Sequence, residues 1–161
     1  VWKQLPKAVK GQGRECREKM AFAANLAGKA INISKTTGPH ALSYVLTSRF
    51  GIPHGQAVSV FLPAFFRFNQ DVDAVTCADV RGHEYVQSAV RAVCTMLNVS
   101  TGEVQNTLRK FFTSVGIETN LGKLGLTVHE VSFVLDNVNQ ARLRNNPRMF
   151  DKSHLMKILT E

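Results

Sequence analysis

From Arg14 to about Ser34 the apolar residues Met20, Ala23, Ala24, Ala27, Ala30 and Ile31 recur every three or four positions, the period of a helix with a broad buried face. Ahead of it, Trp2 to Val9 reads as a helix already under way, so the chain is expected to begin inside an element, as an excised domain would. Gly38-Pro39 and Gly51-Ile52-Pro53 then break the pattern twice, because proline lacks a backbone donor and glycine relaxes the backbone. His40 and His54 stand beside these two breaks. Residues 58–68, VSVFLPAFFRF, are almost wholly apolar; a buried strand also fits such a run, but its length and helical flanks favour a buried helix bent near Pro63.

Ser100-Thr101-Gly102-Glu103 and Thr127-Val128-His129-Glu130 both match the S/T-x-x-E capping box and are expected to open helices over about 101–115 and 128–141. The glycine-rich stretch 116–126 between them reads as an ordered interhelical loop. Asn145-Asn146-Pro147 forms a turn, and Asp151 starts a last helix with Leu155, Ile158 and Leu159 on one face. The expected fold is an all-α helical bundle with little or no sheet, one domain over residues 1–161.

Composition changes this picture little. Hydrophobic residues at 44% and charged residues at 20% are an ordinary globular mixture. Every apolar run is interrupted well before the roughly 20 residues that cross a bilayer, and the first residues lack the apolar centre of a signal peptide, so no membrane partner is expected. Cys16, Cys77 and Cys94 are odd in number, widely spaced and contain no C-x-x-C, so neither a disulfide framework nor a zinc knuckle is indicated, and a cytoplasmic setting fits best. The net charge of +8 is compatible with a nucleic-acid surface, an anionic substrate or cofactor, or a missing acidic partner domain. Because the basic residues are scattered and form no recognition helix, no nucleic-acid partner is expected. Arg142, Arg144 and Arg148 read as a solvated or domain-facing cluster.

Taken alone, His40 and His54 fit two descriptions, hydrogen-bonded helix-end residues or metal ligands, and the first is the commoner fate of a lone histidine. A wider pattern contains them: Leu26-Ala27-Gly28, the segment ending at His40, Pro53-His54-Gly55, Leu62-Pro63 and Phe68-Asn69 occur in order across residues 25–69. This stretch resembles the signature of the iron-containing alcohol dehydrogenases, whose C-terminal half is a helical bundle of the dehydroquinate synthase-like kind. The closing NNPRMFDKSHLMKIL resembles the family's last helices, so the likeness covers nearly the whole chain.

The resemblance implies that His40 and His54 bind one divalent metal, Fe2+ or Zn2+, through neutral imidazoles. It also implies two further ligands, an Asp and a His four residues apart, in a part of the enzyme before this chain. Asp79 and His83 have that spacing but lie downstream of the signature, and read as a coincidence on a solvated helix. The family's dinucleotide-binding domain has no counterpart here, since no G-x-G-x-x-G turn occurs. The intact enzyme is expected to use NAD(P)H, the N-terminal domain of the same enzyme being this chain's partner, in a protein that can form a homo-oligomer; the isolated chain is expected to be inactive. Many members carry a second His four positions after the first ligand, near the nicotinamide, and Tyr44 stands there, so Tyr44 is the expected cofactor contact.

The wording around His40 and His54 is similar to a narrower branch associated with phosphonate metabolism, which implies a small aldehyde substrate such as phosphonoacetaldehyde, reduced to 2-hydroxyethylphosphonate. Lys35, Thr37 and Arg49 are the expected substrate-binding residues, since a phosphonate needs charge-assisted donors; read without it, they are helix-end and surface residues. The rival within the family is another small aldehyde or alcohol.

One geometric expectation follows. A straight helix from His40 to His54 would separate their α-carbons by about 20 Å at 1.5 Å per residue, too far to share an ion. The helix carrying His40 must therefore stop between Leu46 and Phe50, and Gly51 and Pro53 must turn the chain so that His54 begins the next helix facing His40.

Overall fold

The computed structural model describes residues 1–11 and 13–160; Gln12 and Glu161, which the single domain 1–161 was expected to include, lie outside the described residues. Along the chain the helices are α1 (Leu5–Val9), α2 (Gly13–Ser34), α3 (Gly38–Phe50), α4 (His54–Gln70), α5 (His83–Leu97), α6 (Val104–Ser114), α7 (Val128–Asp136), α8 (Gln140–Leu143) and α9 (Lys152–Thr160). The described residues form no strand, only an isolated antiparallel bridge between Cys77 and Arg148. The fold is all-α, and no helix among the described residues is long and apolar enough to cross a membrane.

The apolar run 58–68 is the centre of the molecule because it is hydrophobic on both sides. One side of α4 places Phe61, Phe65 and Phe68 in a core with Leu42 and Leu46 of α3, Val134 and Leu135 of α7, and Leu155 and Ile158 of α9. Its other side sends Leu62 and Phe66 against Leu108 and Phe112 of α6 and Cys94 of α5. A helix apolar all round is stable only when covered this way. Residues 1–4 form a turn rather than helix, and Trp2 stacks on Phe111 with ring centroids 4.0 Å apart.

The two breaks act as the sequence requires. Gly51 closes α3 in the left-handed region at φ 68°, its N–H donating to the Thr47 carbonyl at 3.1 Å, and α4 starts three residues later at His54. Gly38 is needed for another reason: a Cβ there would sit 1.9 Å from Cε1 of Phe65, so only glycine lets the start of α3 press against α4.

Three further expectations need correction. The buried face expected for 14–34 is absent among the described residues: α2 has no buried residue, with Phe22 65% and Ile33 86% exposed, because α3, α4, α7 and α9 satisfy one another around α4. At 100–103 the Ser100 hydroxyl donates to the Glu103 carboxylate at 2.6 Å instead of accepting from a backbone donor, and α6 begins only at Val104 with no side-chain cap. The helix expected over 128–141 is two. Thr127 and Glu130 do form the capping box that opens α7, but the Asn137 side-chain amide donates to the Phe133 carbonyl at 2.8 Å and the helix stops. Asn139 then restarts it, its side chain accepting from the Arg142 N–H at 3.1 Å to open α8. The loop 116–126 is ordered as expected, with Glu118 accepting from the N–H groups of Thr119 and Asn120 at 2.9 and 2.8 Å.

Candidate metal centre

The first turn of α3 carries His40, its second carries Tyr44, and α4 opens on His54. The imidazoles of His40 and His54 lie with ring centroids 5.6 Å apart at an interplanar angle of 62°, so the helix ends and the chain turns where shared ligation requires. A ring nitrogen about 2.0–2.1 Å from a common ion puts each ring centroid roughly 3.2 Å from it, so ligating pairs have centroids no more than about 6.4 Å apart. The observed separation fits that limit.

The electrostatics favour the ligating form. Burial, then the neighbouring imidazole of His54, hold His40 below the ordinary histidine range, which keeps it neutral near neutral pH. Ser43 is fully buried; its hydroxyl donates to the His40 carbonyl at 2.8 Å and lies 3.4 Å from Nδ1 of His54. With the hydroxyl proton directed at the carbonyl, Oγ is free to accept from Nδ1–H, the tautomer in which the other ring nitrogen of His54 can donate to a metal. His54 is exposed and His40 half-buried, so the pair opens onto the surface. Among the described residues no three His, Cys, Asp or Glu side chains lie close enough to hold an ion; the donors present suit a metal but make up half of a four-coordinate set.

The other residues singled out from the sequence are not all brought together. Tyr44 is beside the pair, its ring centroid 5.5 Å from that of His54. Thr37 is the residue before α3, its carbonyl accepting from the His40 and Ala41 N–H groups, and Lys35 occupies the left-handed region at φ 61° in the same short loop. Arg49 is elsewhere. It follows His40 by nine residues, which at about 100° per residue turns it to the opposite side of α3, and its guanidinium lies 6.0 Å from the Phe133 ring centroid. Asp79 does not share a helix with His83: it sits in the loop before α5, where its carboxylate binds Arg81 through two contacts of 2.9 and 2.7 Å.

The whole chain, residues 1–161, matches the Fe-containing alcohol dehydrogenase family, C-terminal. The chain belongs to that family. It is 33% identical over 139 residues to the phosphonoacetaldehyde reductase of Streptomyces viridochromogenes, covering 86% of this chain and 34% of that one. It is 25% identical over 153 residues to the 1,3-propanediol dehydrogenase of Citrobacter freundii, covering 94% and 38%. The crystal structure of sulfoacetaldehyde reductase from Bifidobacterium kashiwanohense in complex with NAD+ matches with a TM-score of 0.74 at 26% identity, over 99% of this chain and 39% of that chain. The chain thus spans well under half the length of these relatives.

In this member of the Fe-containing alcohol dehydrogenase family, Ser43 and Arg142 also stand at the site. Ser43 is three residues from His40, and nothing in its type distinguishes it from a core hydroxyl. Arg142 reads in the sequence as one of a cluster with Arg144 and Arg148, yet its guanidinium lies 4.4 Å from the Tyr44 ring centroid and donates to the Tyr44 hydroxyl at 3.1 Å. Arg148 has a structural part instead, donating to the Phe68 carbonyl at 2.7 Å and stacking 4.5 Å from that ring.

Proposed function

We propose that this chain supplies the His40 and His54 half of a divalent-metal site in an NAD(P)-linked dehydrogenase that reduces a short aldehyde bearing an anionic head, phosphonoacetaldehyde being reduced to 2-hydroxyethylphosphonate. The observation that carries the reading is the convergence of the two imidazoles from adjacent helices. The names of two relatives support the substrate class, since a phosphonoacetaldehyde and a sulfoacetaldehyde are both two-carbon aldehydes with an oxyanion.

A bound Fe2+ or Zn2+ would act as a Lewis acid on the aldehyde oxygen. The chain's own residues do the holding and orienting. His40, kept neutral by burial, and His54, oriented through Ser43, are the ligands. Tyr44 presents an exposed ring beside His54, where it can meet the nicotinamide. Lys35 and Thr37, at the start of α3, can approach an anion there. With two ligands among the described residues and no G-x-G-x-x-G turn in the sequence, the chain by itself is expected to show no dehydrogenase activity.

A second reading keeps the metal and cofactor but takes an uncharged substrate, as the name of the 1,3-propanediol dehydrogenase suggests. A substrate panel on the full-length protein separates the two. The proposed function predicts a higher kcat/KM for phosphonoacetaldehyde than for propionaldehyde, and loss of both activities in His40→Ala; equal or reversed preference removes the phosphonate assignment, and a fully active His40→Ala removes the metal site.

A further inference from the structure

We infer that Arg142 receives the anionic head group of the substrate and so sets specificity for charged aldehydes; this rests on the anionic-aldehyde reading above and names the residue that reads the charge. Three side chains form a row from the imidazole pair outward. The Tyr44 ring lies 5.5 Å from the His54 ring, and the Arg142 guanidinium lies 4.4 Å from the Tyr44 ring. The two distances add to place the guanidinium carbon within about 10 Å of the His54 ring centroid. A two-carbon aldehyde with a phosphonate spans roughly 5 Å from carbonyl oxygen to phosphonate oxygens at ordinary bond lengths, and a charge-assisted hydrogen bond adds about 2.8 Å. These two spans come to about 8 Å, so a substrate whose carbonyl sits on the Tyr44 side of the imidazoles has its head within reach of Arg142.

The position of Arg142 is fixed by the fold. Asn139 caps α8 through the Arg142 N–H, Leu143 is buried in the main core, and the Tyr44 hydroxyl takes one bond from Nη1. Its charge is not neutralised: Arg14, Arg67 and Arg81 are each paired with a carboxylate, whereas among the described residues the Arg142 guanidinium has its hydrogen bond and its ring contact with Tyr44 alone. Nε and Nη2 are uncommitted, and a planar guanidinium resting on an aromatic ring with two N–H edges open matches the bidentate geometry of an oxyanion. Arg142 is also exposed, so a ligand can reach it without displacing core side chains. Arg49 lacks this placement, since it points to the other side of α3.

The test uses the full-length protein and compares wild type with Arg142→Gln and Arg142→Lys. Steady-state kinetics give kcat/KM for phosphonoacetaldehyde and for propionaldehyde, and calorimetry gives the affinity of the metal-free protein for 2-hydroxyethylphosphonate, a readout independent of turnover. The ratio of the two kcat/KM values is expected to fall about 10- to 100-fold in Arg142→Gln and less in Arg142→Lys, with the phosphonate affinity falling in the same order. A purely structural clip between α8 and α3 would lower both kcat/KM values together and leave the ratio intact, which overturns the inference. If wild type prefers the charged aldehyde and both variants keep that preference, the assignment of Arg142 falls while the substrate class stands. If wild type shows no such preference, the substrate class falls and this inference with it.

Discussion

The sequence signature of this family member is divided between two regions that behave in opposite ways. Leu26-Ala27-Gly28 lies on α2, which buries nothing among the described residues; the rest lies on α3 and α4, whose residues Leu42, Leu46, Phe61, Phe65 and Phe68 are almost wholly excluded from solvent. Two glycines of that stretch show the contrast at atomic scale. A Cβ on Gly38 would overlap the Phe65 ring, whereas a Cβ on Gly28 would meet nothing within 4 Å. Periodicity in a sequence says that a face is apolar; what covers the face is decided elsewhere.

The largest expected effect is in the buried region. Phe65→Ala removes a core ring at the α3–α4 contact and is expected to cost about 3–5 kcal/mol, read by chemical denaturation. Gly38→Ala forces the Phe65 ring or the start of α3 to move, at about 1–3 kcal/mol for overpacking, and should also weaken metal binding, because His40 rides on that turn. Gly28→Ala should do the reverse in the isolated chain, stabilising α2 by up to about 1 kcal/mol, since alanine is the better helix former in open space. If Gly28→Ala is instead costly in the full-length protein, the α2 face is covered there and the contrast belongs only to this chain by itself.

The smallest effect is a pH dependence confined to the buried region. His40 is held below the ordinary histidine range by burial first and by His54 second. As pH falls below about 6.5 the unfolded chain takes up a proton that folded His40 resists, so stability is full above that range and declines as pH drops toward the lower folded value. Denaturation midpoints at pH 7.5 and 5.5 should differ more in wild type than in His40→Gln. An equal pH dependence in both proteins would mean that His40 is not desolvated.

These contrasts explain what could be read in advance. The hairpin was legible because Gly51, Pro53 and the spacing of the histidines are local signals, and one turn obeys them. The Thr127 box was legible for the same reason. The exposure of α2 was not, because the same apolar stripe serves a covered or an open face. The place of Arg142 was hidden too: it depends on Asn137 stopping α7 and Asn139 reopening the chain as α8, and a continuous helix over 128–141 leaves Arg142 just past its end with no reason to meet Tyr44, 98 residues earlier.

The central claim is that His40 and His54 hold the same ion, and metal retention under chelator competition tests it most directly. The full-length protein, loaded with one divalent ion, is compared with His40→Ala, His54→Ala and His83→Ala, the last altering a histidine outside the pair. The account predicts that the first two variants each lose at least about 10- to 100-fold in metal affinity while His83→Ala retains the ion as wild type does. An ion held at wild-type affinity by either His40→Ala or His54→Ala would contradict it.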